Sequence, residues 1–228
     1  RQMCIRDRPM KTLSVLLLFA LSGSVVPAVS SPRAGAAPQT QEAPAARPSE
    51  RASELLRELA GEFRAMKSYT VAFTIAAGES DVAGSYTVQS GGYTLTIGDA
   101  EVFFDGKVRY EVDHARREVT INAVDTTSRN ILDNPIGAFD FLDGAYRPTL
   151  LSDDGSEALV RLTPTDGESA TGVVTVRLGL HPVRPQSLAY DYDGEQVTVS
   201  VRSIEPFAGK LRRFDPKACA GYEMIDFR

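Results

Sequence analysis

Hydrolytic, redox and metal chemistry are usually built from histidine, cysteine and paired carboxylates, and this sequence of 228 residues places few of them at useful spacings. His114 follows Asp113 and His181 precedes Pro182, and both read as turn residues. No His-Glu-x-x-His pair, Gly-x-Ser-x-Gly elbow or Gly-rich phosphate loop occurs. Asp105, Asp143, Asp166 and Asp193 each stand before a glycine and mark turns. Arg116-Arg117 beside the turn at Asp113 reads as a solvated pair. Cys219 is the one cysteine downstream of the apolar leader described below, and a single thiol closes no internal disulfide. These residue types do not describe an enzyme, and nothing in them asks for a metal or a cofactor.

The elements around them are more informative. Residues 12–26 (TLSVLLLFALSGSVV) follow Met10-Lys11. A basic start, an apolar core of about 10 residues and small residues after it describe a secretory signal peptide over residues 10–30. Candidate cleavage sites follow Ser30 and Ala36. Residues 1–9 precede a good initiator Met and read as an artefact of gene assignment. Residues 31–48 are rich in Ala, Pro, Gln and Ser without apolar periodicity, and read as a disordered linker. No cysteine follows the apolar core, so a lipid-anchoring site is lacking and a soluble exported protein, cleaved on entering the periplasm, is expected. The formal charge is −5. Losing Arg1, Arg6, Arg8 and Lys11 with only Asp7 makes the mature chain more acidic still, a poor match for nucleic acid.

From residue 49 to 228 a single domain is expected. Ala52, Leu55, Leu56, Leu59, Phe63 and Met66 recur at three- and four-residue steps, the signature of an amphipathic helix of about four turns. Ser49 or Ser53 can cap its start. The period then changes to two: Tyr69, Val71, Phe73 and Ile75 alternate with polar or small residues, as do Val82, Tyr86 and Val88, and then Tyr93, Leu95 and Ile97. Further strands are expected at 102–104, 108–112, 119–121, 158–162, 173–178, 186–192, 196–204 and 223–227, about eleven in all, forming an antiparallel meander. Asp105-Gly106 suits a two-residue type I′ turn that sets Phe104 opposite Lys107. Val102 and Phe104 would then share one face, matched by Val108, Tyr110 and Val112 on the return strand. Residues 126–142 (TTSRNILDNPIGAFDFL) break the pattern and suit one or two short helices, with Ile136, Phe139 and Leu142 on one side and Phe141 projecting elsewhere. A sheet with one apolar face closes on itself, packs on a second sheet, or curves around helices. The first two give a filled core; the third leaves a hydrophobic cavity suited to acyl chains.

Four segments in order resemble the outer-membrane lipoprotein carrier protein (LolA) family, in the divergent form of Bacteroidetes-type bacteria. They are VFFDGKVRYEVDHARREVTI (102–121), NPIGAFDFLDGAY (134–146), the Leu-Thr-Pro of 162–164, and RFDPKACAGYEMIDFR (213–228). The resemblance implies an α+β fold: an unclosed antiparallel β-barrel, with the long N-terminal helix and a short helical insertion covering its apolar concave face. It implies a lid role for Phe63, Met66, Ile136, Phe139 and Leu142. It implies a concave wall formed by Tyr69, Val71 and Phe73, by Tyr86 and Val88, by Tyr93 and Leu95, and by Phe104, Tyr110 and Ile121. Many members carry an Arg-Pro before an aromatic in the turn between the second and third strands, an arginine linked to lid closure. Gln89-Ser90-Gly91 stands there instead, so no arginine role is carried over.

The function so implied is non-enzymatic. A monomeric periplasmic carrier would bind the acyl chains of lipidated proteins, taking them from an inner-membrane ABC-type lipoprotein release complex to an outer-membrane acceptor. The alternative on the same half-barrel is an envelope-stress sensing or lipid-binding interaction domain.

Overall fold

An amphipathic helix begins the described part of the chain, at the position where the spacing of leucines predicts one. The computed structural model describes residues 48–228 apart from 78–79, 125–129, 142–143, 166–171 and 193–194. The leader and residues 31–47 of the linker therefore lie outside the described residues, as do Leu142 and the expected Asp193-Gly194 turn, whereas Pro48, expected to end the linker, opens the helix. Helix α1 spans Pro48–Ala65 and buries Ala52, Leu55, Leu56, Leu59, Ala60 and Phe63 along one stripe. Proline suits a first helical turn, where its missing N–H has no partner to lose. Ser53 is no cap: its Oγ donates back to the Ser49 carbonyl at 2.8 Å.

Twelve strands follow among the described residues and form one sheet. They are β1 (Ser68–Ala77), β2 (Ser80–Gln89), β3 (Gly92–Ile97), β4 (Ala100–Phe104), β5 (Arg109–Asp113), β6 (Glu118–Asn122), β7 (Tyr146–Asp153), β8 (Glu157–Pro164), β9 (Val173–Leu180), β10 (Val183–Tyr192), β11 (Glu195–Pro206) and β12 (Glu223–Asp226). Their order is β12-β6-β5-β4-β3-β2-β1-β11-β10-β9-β8-β7. Two meanders, β1–β6 and β7–β11, are joined by the long antiparallel pairing of β1 with β11. β7 and β12 are the free edges, so the barrel is unclosed.

The strand absent from the expected set is β7. Pro148 lies inside it and its alternation is weak, with Tyr146 buried and Leu150 half-buried. An edge strand with one neighbour tolerates proline, whereas a central strand does not. β12 departs from the meander in another way: it pairs with β6 in parallel. The chain reaches it by crossing the outside of the sheet, not by a hairpin.

The turns also differ from expectation. Consecutive positive φ angles, 53° at Ser90 and 77° at Gly91, occur between β2 and β3, where Gln89 pairs with Gly92 in a two-residue hairpin. At Asp105-Gly106 only Gly106 has positive φ, and Phe104 pairs with Arg109 across a four-residue loop. The carboxylate of Asp105 decides this, because its Oδ1 accepts the N–H groups of Lys107 and Val108, each at 2.9 Å. The side chain takes the Val108 N–H that the Asp105 carbonyl would accept in a tight turn, while the Asp105 N–H still reaches the Val108 carbonyl at 3.4 Å.

One continuous core fills the inner face, drawn from α1, the inward residues of β1–β4 and β7–β11, and the segment 131–141. A second, smaller cluster lies on the outer face of β4–β6, where Phe103, Val112, Val119 and Ile121 pack with Cys219, Tyr110, Phe214 and Tyr222. Close packing on the inner face depends on Gly84. Opposite Phe73 in the β1–β2 ladder, it lies under the phenylalanine ring, and a Cβ there would stand 2.6 Å from the ring and 3.0 Å from the Thr96 carbonyl. Phe73 is itself 2% exposed and has nowhere to move. Gly84→Ala is therefore expected to destabilise the protein by about 1–3 kcal/mol, the usual cost of overpacking. Urea denaturation measures this, and an unchanged midpoint would show that the ring moves freely.

Candidate functional site

The inner face offers a floor, a cover and an opening. Tyr69, Val71 and Phe73 of β1, Tyr86 and Val88 of β2, Tyr93 and Leu95 of β3 and Phe104 of β4 form part of the floor, all at most 9% exposed. The cover has two parts. α1 lies over β7 and β10. Segment 130–141 lies beside it and is tied to β3, β5 and β10 by the hydrogen bonds described below. It is a run of turns and not the expected short helix: Asn134 N–H reaches the Asn130 carbonyl at 2.9 Å, Gly137 the Asn134 carbonyl and Asp140 the Gly137 carbonyl, both at 3.1 Å. Pro135 breaks the segment, since it lacks an N–H and disfavours helical geometry at Asn134.

The two parts of the cover meet at aromatic rings. Phe63 of α1 stacks on Phe139 with centroids 4.1 Å apart, and Tyr69 meets Phe63 edge-on at 5.2 Å. Arg64 pairs with Asp140 at 2.6 Å. Both side chains of that pair are well exposed, so it adds at most about 1 kcal/mol. Phe141 does not project away as the sequence suggests: it is fully buried against Tyr146. Next to the Phe63–Phe139 contact opens a cavity of about 390 Å³, lined by Phe63, Met66, Tyr69, Val88, Ile136 and Phe139, with Arg64, Lys67 and Asp140 at its rim. That volume lies within the range of small-ligand sites. Ile136, 40% exposed, stands at the opening.

Tyr110 and Ile121 are not part of the floor. They pair across β5 and β6 on the outer face, where Tyr110 stacks on Phe214 at 4.4 Å. Directly opposed residues of an antiparallel pair share a face. Phe104 opposite Arg109 and Val102 opposite Glu111 therefore turn Arg109 and Glu111 inward. The expected match of Val102 and Phe104 with Tyr110 and Val112 violates this parity.

The inward turn gives the site a polar element that the sequence reading missed. Arg109 Nη1 donates to the Asp133 carbonyl at 2.7 Å, and Nη2 to the Leu132 carbonyl at 3.4 Å. Its Nε lies 3.0 Å from Glu111 Oε1 but does not point its N–H at the carboxylate, so that contact is coulombic. Asn122 Nδ2 holds the same Glu111 oxygen at 3.1 Å. Tyr93 Oη donates to the Asp133 carbonyl at 3.0 Å, and Ile131 N–H donates to Tyr190 Oη at 3.2 Å. The sheet thus holds the turn segment by its backbone. Strand parity around the Asp-Gly loop was the available signal for Arg109. Gln89 clamps the C-terminal segment: Nε2 donates to the Gly209 carbonyl and Oε1 accepts from Leu211 N–H, both at 3.0 Å.

Burial shapes the acid–base behaviour of the floor. Desolvation pushes the phenols of Tyr69 and Tyr93 up to about 12, with the nearby Arg109 partly opposing it at Tyr93. Tyr86 is raised well above its usual 10 by the same cause. His114 and His181 lie at turns as expected, near Glu101 and Tyr222 and near the Gly155 carbonyl respectively.

Two predictions follow from this geometry. Arg109→Met removes charge-assisted bonds to two carbonyls and is expected to cost about 1.5–3 kcal/mol. Hydrogen exchange should accelerate at Ile131–Asn134 more than in β9, and equal exchange in the two places would contradict the tie. The second concerns alkaline pH. The unfolded chain releases its phenolic protons near 10 while Tyr69 and Tyr93 keep theirs to about 12. Stability is therefore full below pH 10 and falls as pH rises through that window, by up to about 1.4 kcal/mol per pH unit for each phenol. Tyrosinate absorbance should rise for these residues only as circular dichroism reports loss of the fold. Ionisation of every tyrosine in the folded state would contradict it.

No family model matches the sequence, and no curated protein matches it either. Solved structures do. An uncharacterized conserved protein from Thermus thermophilus is similar at 9% identity, covering 77% of this chain and 99% of that one, with a TM-score of 0.47. LprF from Mycobacterium bovis is similar at 14% identity, covering 75% and 99%, with a TM-score of 0.44. A LolA superfamily protein from Nitrosomonas europaea is similar at 14% identity, covering 73% and 96%, with a TM-score of 0.38.

Proposed function

We propose that this protein is a periplasmic carrier that takes up the acyl chains of lipidated proteins on the inner face of its sheet. The observation that carries this reading is the divided cover. The inner face of an unclosed sheet is sealed by one helix and by a run of turns, and a cavity already opens where the two meet.

The energetics suit carriage. α1 covers the sheet chiefly through Leu55, Leu56, Leu59 and Phe63. At about 1.5–3 kcal/mol per buried side chain these contribute roughly 6–12 kcal/mol. An acyl chain that buries about a dozen methylenes gains roughly 10 kcal/mol at 0.8 each. Exchange of the helix for one acyl chain is thus close to balanced, and a carrier needs such a balance because it must also let go. Arg109, Tyr93 and Tyr190 keep segment 130–141 against the sheet while the apolar contacts exchange.

In this reading the chains come from an inner-membrane ABC-type release complex and pass to an outer-membrane acceptor. The protein acts as a monomer and catalyses no reaction. Native mass spectrometry of the purified protein incubated with a triacylated lipopeptide is expected to show a one-to-one complex, with displacement of a fluorescent acyl probe. No bound lipopeptide and no displacement would sink the proposal. In cells, depletion is expected to leave lipoproteins at the inner membrane. Unchanged sorting together with lipid binding in vitro would favour a lipid-sensing domain instead.

A further inference from the structure

Three tyrosines of the floor lie deep beneath the cover, and they differ in what their hydroxyls meet. Tyr93 Oη donates to the Asp133 carbonyl and Tyr190 Oη accepts from Ile131 N–H. Tyr86 Oη is fully buried and has no hydrogen-bond partner among the described residues. A buried hydroxyl without a partner is costly, and an apolar replacement of the same shape would remove the cost. The ring needs no hydroxyl for its packing in the core, where it meets Tyr69 edge-on at 6.2 Å and Phe73 at a tilt at 6.1 Å. The closed structure therefore gives phenylalanine the advantage at this position.

Its place explains the hydroxyl. Tyr86 stands one ring behind the cavity: Phe63 and Tyr69 line the opening, and Tyr69 touches Tyr86. Phe63 belongs to α1 and packs on Tyr69, so displacing the helix would uncover the ring that stands between the cavity and Tyr86. Other polar groups of the same inner face already bind carbonyls: Arg109 and Tyr93 hold those of Leu132 and Asp133. An otherwise apolar groove with a few placed donors fixes a ligand by its polar head.

Resting on the carrier reading, we propose that Tyr86 is the polar anchor of the groove, donating to the ester or amide carbonyl at the head of an acyl chain. The site then takes chains joined through a carbonyl in preference to ether-linked or plain hydrocarbon chains. A group built to make a hydrogen bond rejects ligands that leave it unpaired.

The test compares a monoacylglycerol with the 1-O-alkylglycerol of equal chain length, which lacks only the carbonyl. Each displaces a fluorescent acyl probe from the wild-type protein and from Tyr86→Phe. The wild type is expected to bind the ester about fivefold more tightly, the effect of one hydrogen bond. Tyr86→Phe is expected to bring the two affinities together while melting no lower than the wild type. In the wild-type complex a carbonyl-labelled ester should show its infrared stretch at the lower frequency of a hydrogen-bonded group, a readout independent of how the variant folds. Equal binding of ester and ether by the wild type, or a preference that survives in Tyr86→Phe, overturns the assignment and leaves the carrier reading standing. Binding of neither lipid overturns both.

Discussion

Exclusion of water from the inner face of the sheet is the interaction on which the rest of this structure depends. Aromatic and aliphatic side chains from nine strands point to that face. Among the described residues no second sheet covers them, and the strands do not close into a barrel. The cover must come from elements that carry little structure of their own: one helix of 18 residues and a segment of turns. Most helical stability in proteins comes from packing of an amphipathic face, so α1 owes its place to the sheet it covers. The dependence runs both ways, and an apolar ligand able to replace either partner would find a site prepared for it.

The sheet is not uniform. Along β1–β4 and β7–β11 the apolar side chains turn inward, whereas along β5 and β6 they turn outward. The inversion leaves Arg109, Glu111 and Asn122 facing the interior and an apolar strip facing out. Both consequences are resolved nearby. The inward Arg109 grips the backbone of segment 130–141, and Glu111 is met by Arg109 and Asn122. The outward strip is covered by the C-terminal segment, with Phe214 on Tyr110 and Cys219 beneath, before β12 joins β6. Gln89 and the Arg212–Glu101 pair fix the path of that segment. One end of the sheet thus spends its apolar face on the tail and its polar face on the cover.

The two parts of the cover are held by different physics. Nonpolar burial holds α1, with an exposed Arg64–Asp140 pair that adds little. Directed hydrogen bonds from Arg109, Tyr93 and Tyr190 hold the turn segment. Apolar burial is non-directional and exchangeable, so a hydrocarbon chain replaces a helix face without loss. Hydrogen bonds inside a protein are specific in geometry and costly to leave unmade. In the proposed carriage, that contrast makes α1 the part an acyl chain would displace and segment 130–141 the part that would stay.

Period and composition alone determined much of this protein. The leucine spacing placed α1, two-residue alternation placed eleven of the twelve strands, and the lack of histidine, cysteine and phosphate-loop patterns left an apolar face as the feature to explain. These signals are local, because helix and strand periods are set by covalent geometry. The tertiary structure decided what depends on pairing. A carboxylate at Asp105 lengthened a loop, and the register of β4 with β5 set Phe104 opposite Arg109. That register turned Tyr110 and Ile121 outward and Arg109 inward, a result that alternation within one strand does not contain. β7 escaped notice because an edge strand is free to carry proline and a weak pattern. Phe141 and the unpartnered hydroxyl of Tyr86 emerged only once the cover was in place, since burial and hydrogen-bond satisfaction belong to the assembled chain.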